Sequence, residues 1–131
     1  FNESGWPVVD EKVTLKVYGS RDSNGFEDYN DYILVQDMEK TTNVHFEWEL
    51  IENSTYQERK NVMINSGSLP DIIKDGMSVL EVARYGQEGL LIETGELQEK
   101  YCPQLMHFYV INPVMKAAAT RQGTKIAVEI D

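Results

Sequence analysis

One stretch constrains this chain more than any other: Thr55 to Ile73, TYQERKNVMINSGSLPDII. Tyr56, Lys60 (through its stem), Met63 and Ile64 recur at steps of three and four, so they share one face of a helix. Ser54 stands ahead of them with Gln57 at capping-box spacing, which predicts Ser54 as the helix cap. Gly67 supplies the left-handed backbone that commonly ends a helix. Ser68-Leu69-Pro70-Asp71 turns the chain, and Ile72-Ile73 opens an apolar run that reads as a buried strand. A helix returned by a tight turn into an apolar strand is the building unit of a parallel α/β sheet.

The same unit repeats on both sides. Lys12 to Tyr18, KVTLKVY, alternates Val13, Leu15 and Val17 against Thr14, Lys16 and Tyr18, and predicts a first strand. It ends at Gly19, before the turn formers Ser20-Arg21-Asp22-Ser23-Asn24-Gly25. Tyr32, Val35 and Met38 mark a helix over about Asp28–Thr42, and Val44–Ile51 alternates again as a strand with one wet face or a free edge. Beyond Ile73, Ser78 and Glu81 form a capping box at the head of a helix reaching Tyr85 or Gln87. Thr94 heads a short helix to Tyr101 that Pro103 should stop, Asn112-Pro113 starts another to Ala119, and Lys125–Ile130 is a last strand. Residues 1–11 lack any period and read as a tail or linker, with Trp6 tucked against the domain. The expected fold is α/β, a three-layer sandwich over residues 12–131 with a mainly parallel sheet and the first strand in the centre.

In such sheets ligands bind beyond the carboxyl ends of the strands, where the crossovers diverge. Here Gly19 to Asn24 and Lys74 to Met77 should wall that crevice.

Composition narrows the chemistry. The chain has 131 residues and a net charge of −10. Between Asp22 and Glu58 there are ten carboxylates against one base, Lys40. Such a surface repels nucleic-acid phosphates and anionic lipid heads, so neither is an expected partner. Cys102 stands alone and cannot form an internal disulfide; with only His45 and His107 beside it, an ordinary zinc site lacks its ligands. No cofactor or metal is expected. Nothing apolar is long enough to span a membrane as a helix. The first residue is Phe1 and no signal-peptide core follows, as expected of a mature or trimmed product.

Motifs for catalysis are missing. Neither histidine has a Ser or Cys partner at a strand-to-helix elbow, and no phosphate loop GxxxxGK[ST] occurs. Asp22 to Asp28 imitates a calcium loop, but Phe26 stands at its fifth position and the glycine at its fourth, so an acidic turn explains it better. Asn53-Ser54-Thr55 spells a glycosylation acceptor, a triplet that chance supplies often. The carboxylate pairs Glu47/Glu49 and Asp71/Asp75 sit on a polar strand face and at opposite ends of a strand, ordinary places for charge. Seven Tyr and two Trp are more suggestive, because flat rings beside polar groups hold sugars, although most such rings are core filler.

The segments KVTLKVYGS, EKTTNVHFEWE, YQERKNVMINSGSLPDII, YGQEGLLIE and LQEKYCPQL together resemble the amino-terminal lobe of the family 1 extracellular solute-binding proteins, lipoprotein receptors of ABC importers in Gram-positive bacteria. That family carries an "EKxTG-V-x-[FW]" helix exit, a "KxNxMxxSGxLPD" segment, a "YGxxGxxxxL" segment and a "KYxPNL" segment. Its "DGKIYxxP" strand is matched loosely by Gln122 to Ala127. The resemblance implies a periplasmic-binding-protein fold whose two lobes close on a solute, commonly an oligosaccharide, and a permease as partner. It implies an extracellular lipoprotein held to the membrane only through a lipid anchor whose cysteine is not in this chain. Family members are longer, so residues 12–131 are expected to be one lobe, or part of one.

On that reading Tyr18 offers a flat face, Arg21 a forked donor, and Asp22 and Asp75 acceptors for hydroxyl pairs. Ser20 and Met77 complete the contact set, with Gly76 admitting the solute close to the backbone. Two rivals stand beside it. A flavodoxin-like α/β enzyme needs a phosphate cradle after the first strand, where Asp22 would repel phosphate, and a flavin's visible absorbance would reveal it. A natural single-lobe interaction protein would be settled by the reading frame.

Overall fold

The structure, a computed structural model, describes residues 1–119. Its central strand is β1 (Val13–Arg21), flanked by β2 (Val44–Glu52) and by the two-residue β3 (Ile72–Ile73), in the order β2-β1-β3 with both pairings parallel. Val17 is level with Trp48 on one side and Ile72 on the other. Helices α1 (Ile33–Thr42) and α2 (Asn53–Ser66) make the two crossovers. The ring of Tyr18 lies 5.5 Å from that of Tyr56 on α2. On the opposite face, Tyr29 in the 3-10 turn Tyr29–Asp31 packs 5.0 Å from Trp48. The unit is therefore a helix–sheet–helix sandwich, as the sequence predicts.

Central position changes the meaning of the β1 pattern. Alternation suggests one wet face, yet Val17, Tyr18 and Gly19 are all buried, because helices cover both faces of a middle strand. β1 also runs through Ser20 and Arg21, which the turn-rich composition assigns to a loop; pairing with Ile51 and Glu52 holds them in the strand. Ile72, expected in the core, is 39% exposed, because β3 is an edge strand of only two residues.

Local signals were met unevenly. Gly67 ends α2 in the left-handed region at φ +73°, as read from sequence. Ser54 does not cap α2: β2 runs directly into the helix, Glu52 takes the cap position, and Ser54 falls inside the first turn without a capping bond. The helix expected from Asp28 breaks at Tyr32, whose extended backbone separates the 3-10 turn from α1. Residues 1–11 are tied to this unit by hydrogen bonds, Val8 N–H to the Thr42 carbonyl at 3.0 Å and the Asn43 side-chain amide to the Val9 and Asp10 carbonyls. Trp6 is not tucked away; it is 70% exposed.

The chain divides into two compact units, Phe1–Gly76 and a second beginning at Met77. In the second, α3 (Val79–Gln87) opens with the predicted capping box: the Ser78 hydroxyl accepts from Glu81 N–H, and the Glu81 carboxylate accepts from Ser78 N–H. α4 (Gly95–Tyr101) follows, then α5 (Pro103–Ile111) and α6 (Pro113–Ala118). α5 departs from the sequence pattern, which marks no helix between Pro103 and Asn112. Pro103 does end α4, but it also occupies the first position of α5, where its missing N–H costs nothing. The expected strand Lys125–Ile130 lies outside the described residues.

Candidate functional site

At the carboxyl end of the sheet, β1 and the segment after β3 meet side by side. Lys74 N–H donates to the Tyr18 carbonyl at 2.8 Å, extending the ladder past β3. One residue further on, Asp75 is received by Ser20: the Ser20 N–H donates to Oδ1 and the Ser20 hydroxyl to Oδ2, both at 2.9 Å. The Lys74 ammonium donates to the same Oδ2. Burial pushes the Asp75 carboxyl up, but the hydrogen bonds from Lys74 and from both groups of Ser20 outweigh it and hold the group below the ordinary range.

Beneath this pair lies α2. The Tyr56 hydroxyl donates to the Asp75 carbonyl at 2.7 Å, and the Gly76 carbonyl accepts from the Gln57 amide at 3.1 Å and from the Lys60 ammonium. Gly76 has φ +75°, and a Cβ there would stand 2.2 Å from Tyr56 Cε1. Glycine is therefore required twice, by backbone conformation and by contact. Gly19 is similarly close-packed, its absent Cβ replaced by the Lys74 side chain.

On the other flank, Arg21 lies with its guanidinium 3.5 Å from Glu52 and 4.0 Å from Glu27, and donates to the Asp22 carbonyl at 3.2 Å. Asp22 Oδ1 accepts from the Asn53 amide at 2.7 Å. These contacts join the end of β1 to the β2–α2 junction, since Glu52 and Asn53 are the residues where strand becomes helix.

Ser20, Arg21, Asp22, Asp75 and Gly76 thus share one end of the sheet. Tyr18 is different. It is 3% exposed, its ring lies against Tyr56, and burial, with Glu49 nearby, raises its phenol above the ordinary value. It supports the loop from below and presents no open face. Met77 follows Gly76 directly in the chain and begins the second unit. Sequence reasoning read Tyr56 and Lys60 as members of the core face, which they are, and missed that their polar ends hold the Asp75–Gly76 loop. The available signal was a lysine at a position where the helical stripe demanded an apolar side chain.

The groups gathered here are hydroxyl, carboxylates, guanidinium and backbone amide. Groups of these types form hydrogen bonds with polar solutes. Among the described residues no group of His, Cys, Asp or Glu is arranged to hold a metal ion, and no helix is long and apolar enough to cross a membrane.

No protein-family model matches the chain. It is 34% identical over 113 residues to the fructooligosaccharide ABC transporter substrate-binding protein FusA of Streptococcus pneumoniae serotype 4, a match spanning 86% of this chain and 21% of that protein. The structure of S. pneumoniae FusA in complex with kestose is similar at a TM-score of 0.78 and 32% identity, over 87% of this chain and 23% of FusA. The crystal structure of the alginate-binding protein AlgQ2 without calcium ion gives a TM-score of 0.71 at 26% identity, over 94% and 26%. An extracellular solute-binding protein of Bifidobacterium longum subsp. infantis, at 22% identity and a TM-score of 0.77, supports the fold alone. The α/β architecture is thus that of the periplasmic-binding-protein-like solute-binding proteins. The chain spans about a quarter or less of the length of these proteins.

Proposed function

We propose, from the homology of this chain to an amino-terminal segment of ABC-transporter substrate-binding proteins, that it supplies part of a receptor capturing oligosaccharides for an importer. The observation that carries the reading is the match to FusA across 86% of the chain. The polar cluster at the end of β1 and β3 supports it, since Ser20, Arg21, Asp22, Asp75 and Gly76 are the types of group that pair with sugar hydroxyls. Met77, next in the chain, is included as an apolar contact, and Tyr18 as the support beneath the loop.

On this reading residues 12–131 belong to the amino-terminal lobe and residues 1–11 lead into it. The whole protein is an extracellular lipoprotein of a Gram-positive bacterium, anchored by lipid, delivering solute to a permease. Receptors of this build exclude water by closing two lobes on the ligand. One lobe supplies part of that burial, so its affinity alone is in the millimolar range or beyond detection, about 4 kcal/mol or less.

Calorimetry with kestose, fructo-nystose and an alginate oligosaccharide, on the full-length protein and on these 131 residues, tests both statements. Full-length protein that takes up none of them defeats the oligosaccharide reading. Micromolar binding by the 131 residues alone defeats the shared-site argument.

A further inference from the structure

Helix α2 addresses the Asp75–Gly76 loop through its backbone. Tyr56 holds the Asp75 carbonyl, while Gln57 and Lys60 hold the Gly76 carbonyl. Lys60 is 0% exposed and Tyr56 3%. Taking an ammonium fully out of water is costly, so a lysine persists there only where hydrogen bonds compensate. Simple filling of the space under a loop asks for no such group; a Met side chain has similar length and no desolvation penalty.

Peptide planarity gives the arrangement a consequence. In a trans peptide the C=O and N–H of one unit point in opposite directions. Drawing the Asp75 carbonyl toward Tyr56 therefore aims the Gly76 N–H away from α2. Among the described residues that N–H has no acceptor. A hydrogen bond to the carbonyl also polarises the peptide and strengthens the N–H as a donor.

We propose that Tyr56 and Lys60 are positioning residues of the solute site, fixing the peptides on either side of Gly76, Tyr56 through the Asp75 carbonyl and Lys60 through the Gly76 carbonyl, so that the Gly76 N–H stands as a fixed donor to an oxygen of the bound oligosaccharide. Both are too deeply buried to touch a solute themselves. The identity of the ligand rests on the function proposed above; the orientation of the peptide does not.

The test uses the full-length protein, with Tyr56→Phe and Lys60→Met as variants and Val17→Ala, a core change in the same sheet, as a control for general destabilisation. Two quantities are read: the backbone amide NMR shift at Gly76, and calorimetric affinity for kestose and fructo-nystose. Losing one such bond should move the Gly76 amide shift upfield and weaken binding by roughly tenfold, the equivalent of about 1.4 kcal/mol, while Val17→Ala moves neither. Should Lys60→Met fail to fold, Tyr56→Phe, which removes only a hydroxyl, decides the matter. The proposal is overturned if the variants keep the wild-type amide shift at Gly76, or bind both sugars as the wild type does. Wild-type protein that ignores both sugars tells against the oligosaccharide reading, and the Gly76 amide shift then decides the positioning by itself.

Discussion

Ser20 and Asp75 are joined twice, the Ser20 N–H to one carboxylate oxygen and the Ser20 hydroxyl to the other, each at 2.9 Å. The pair closes the end of the sheet where β3 has already stopped, so a side chain continues the pairing that the backbone abandons after Lys74. Removing the hydroxyl with Ser20→Ala leaves the N–H bond to Oδ1 and the Lys74 bond to Oδ2. The expected cost is about 1 kcal/mol, read as a lower urea midpoint with unchanged slope. An unaltered midpoint would show that the hydroxyl bond contributes nothing net.

Acid should loosen the same latch. The Asp75 carboxyl is held below its ordinary value by Lys74 and Ser20, and Glu39 likewise by His45, 2.7 Å away, and by Lys12. A carboxyl with a lowered folded pKa contributes stability that is fully present above its unfolded value and is lost as pH falls through the folded one. Urea midpoints should therefore hold down to about pH 4 and decline below it, and Asp75→Asn should flatten part of that decline. A profile for Asp75→Asn parallel to wild type would remove Asp75 from the account.

Gly76→Ala meets two obstacles, a positive φ and a ring carbon 2.2 Å from the new methyl group. Since Tyr56 is 3% exposed and has little room to yield, the loss should be about 1–3 kcal/mol. Gly67→Ala, with nothing within 4 Å of its Cβ position, shares only the backbone strain and should cost less. Thermal melts of the two variants side by side make the comparison; equal losses would mean that contact with Tyr56 is immaterial.

Two serines separate a real cap from an apparent one. Ser78→Ala breaks a two-way capping box and should lose about 1 kcal/mol. Ser54→Ala, inside the first turn of α2, should be close to neutral because alanine is the better helix former. A large loss at Ser54 would overturn the helix start at Asn53.

Val17 and Ile72 are neighbours in register, yet they differ in burial, 2% against 39% exposed. Val17→Ala should cost about 1–3 kcal/mol through lost burial and a residual cavity. Ile72→Ala should cost clearly less, and chemical denaturation would reveal the difference. Equal costs would mean that Ile72 is covered in solution.

The sequence by itself determined the order of elements in the sheet unit, the parallel pairing around a central first strand, and the end of α2 at Gly67. Hydrophobic period and a glycine stop are local properties, legible one segment at a time. It also placed Ser20, Arg21, Asp22, Asp75 and Gly76 at one end of the sheet, because right-handed crossovers bring the carboxyl ends of parallel strands together. Tertiary structure decided what those residues do there. Tyr18 alternates as though half-exposed, but a middle strand is covered on both faces, so its ring became packing. Ser54 has the spacing of a cap, but a strand running without pause into the helix moved the cap to Glu52. Lys60 sits on the apolar stripe, and nothing local reveals that the Gly76 carbonyl waits for its ammonium 16 residues away. Such long-range polar pairing depends on how distant segments meet, and only the assembled fold decides that.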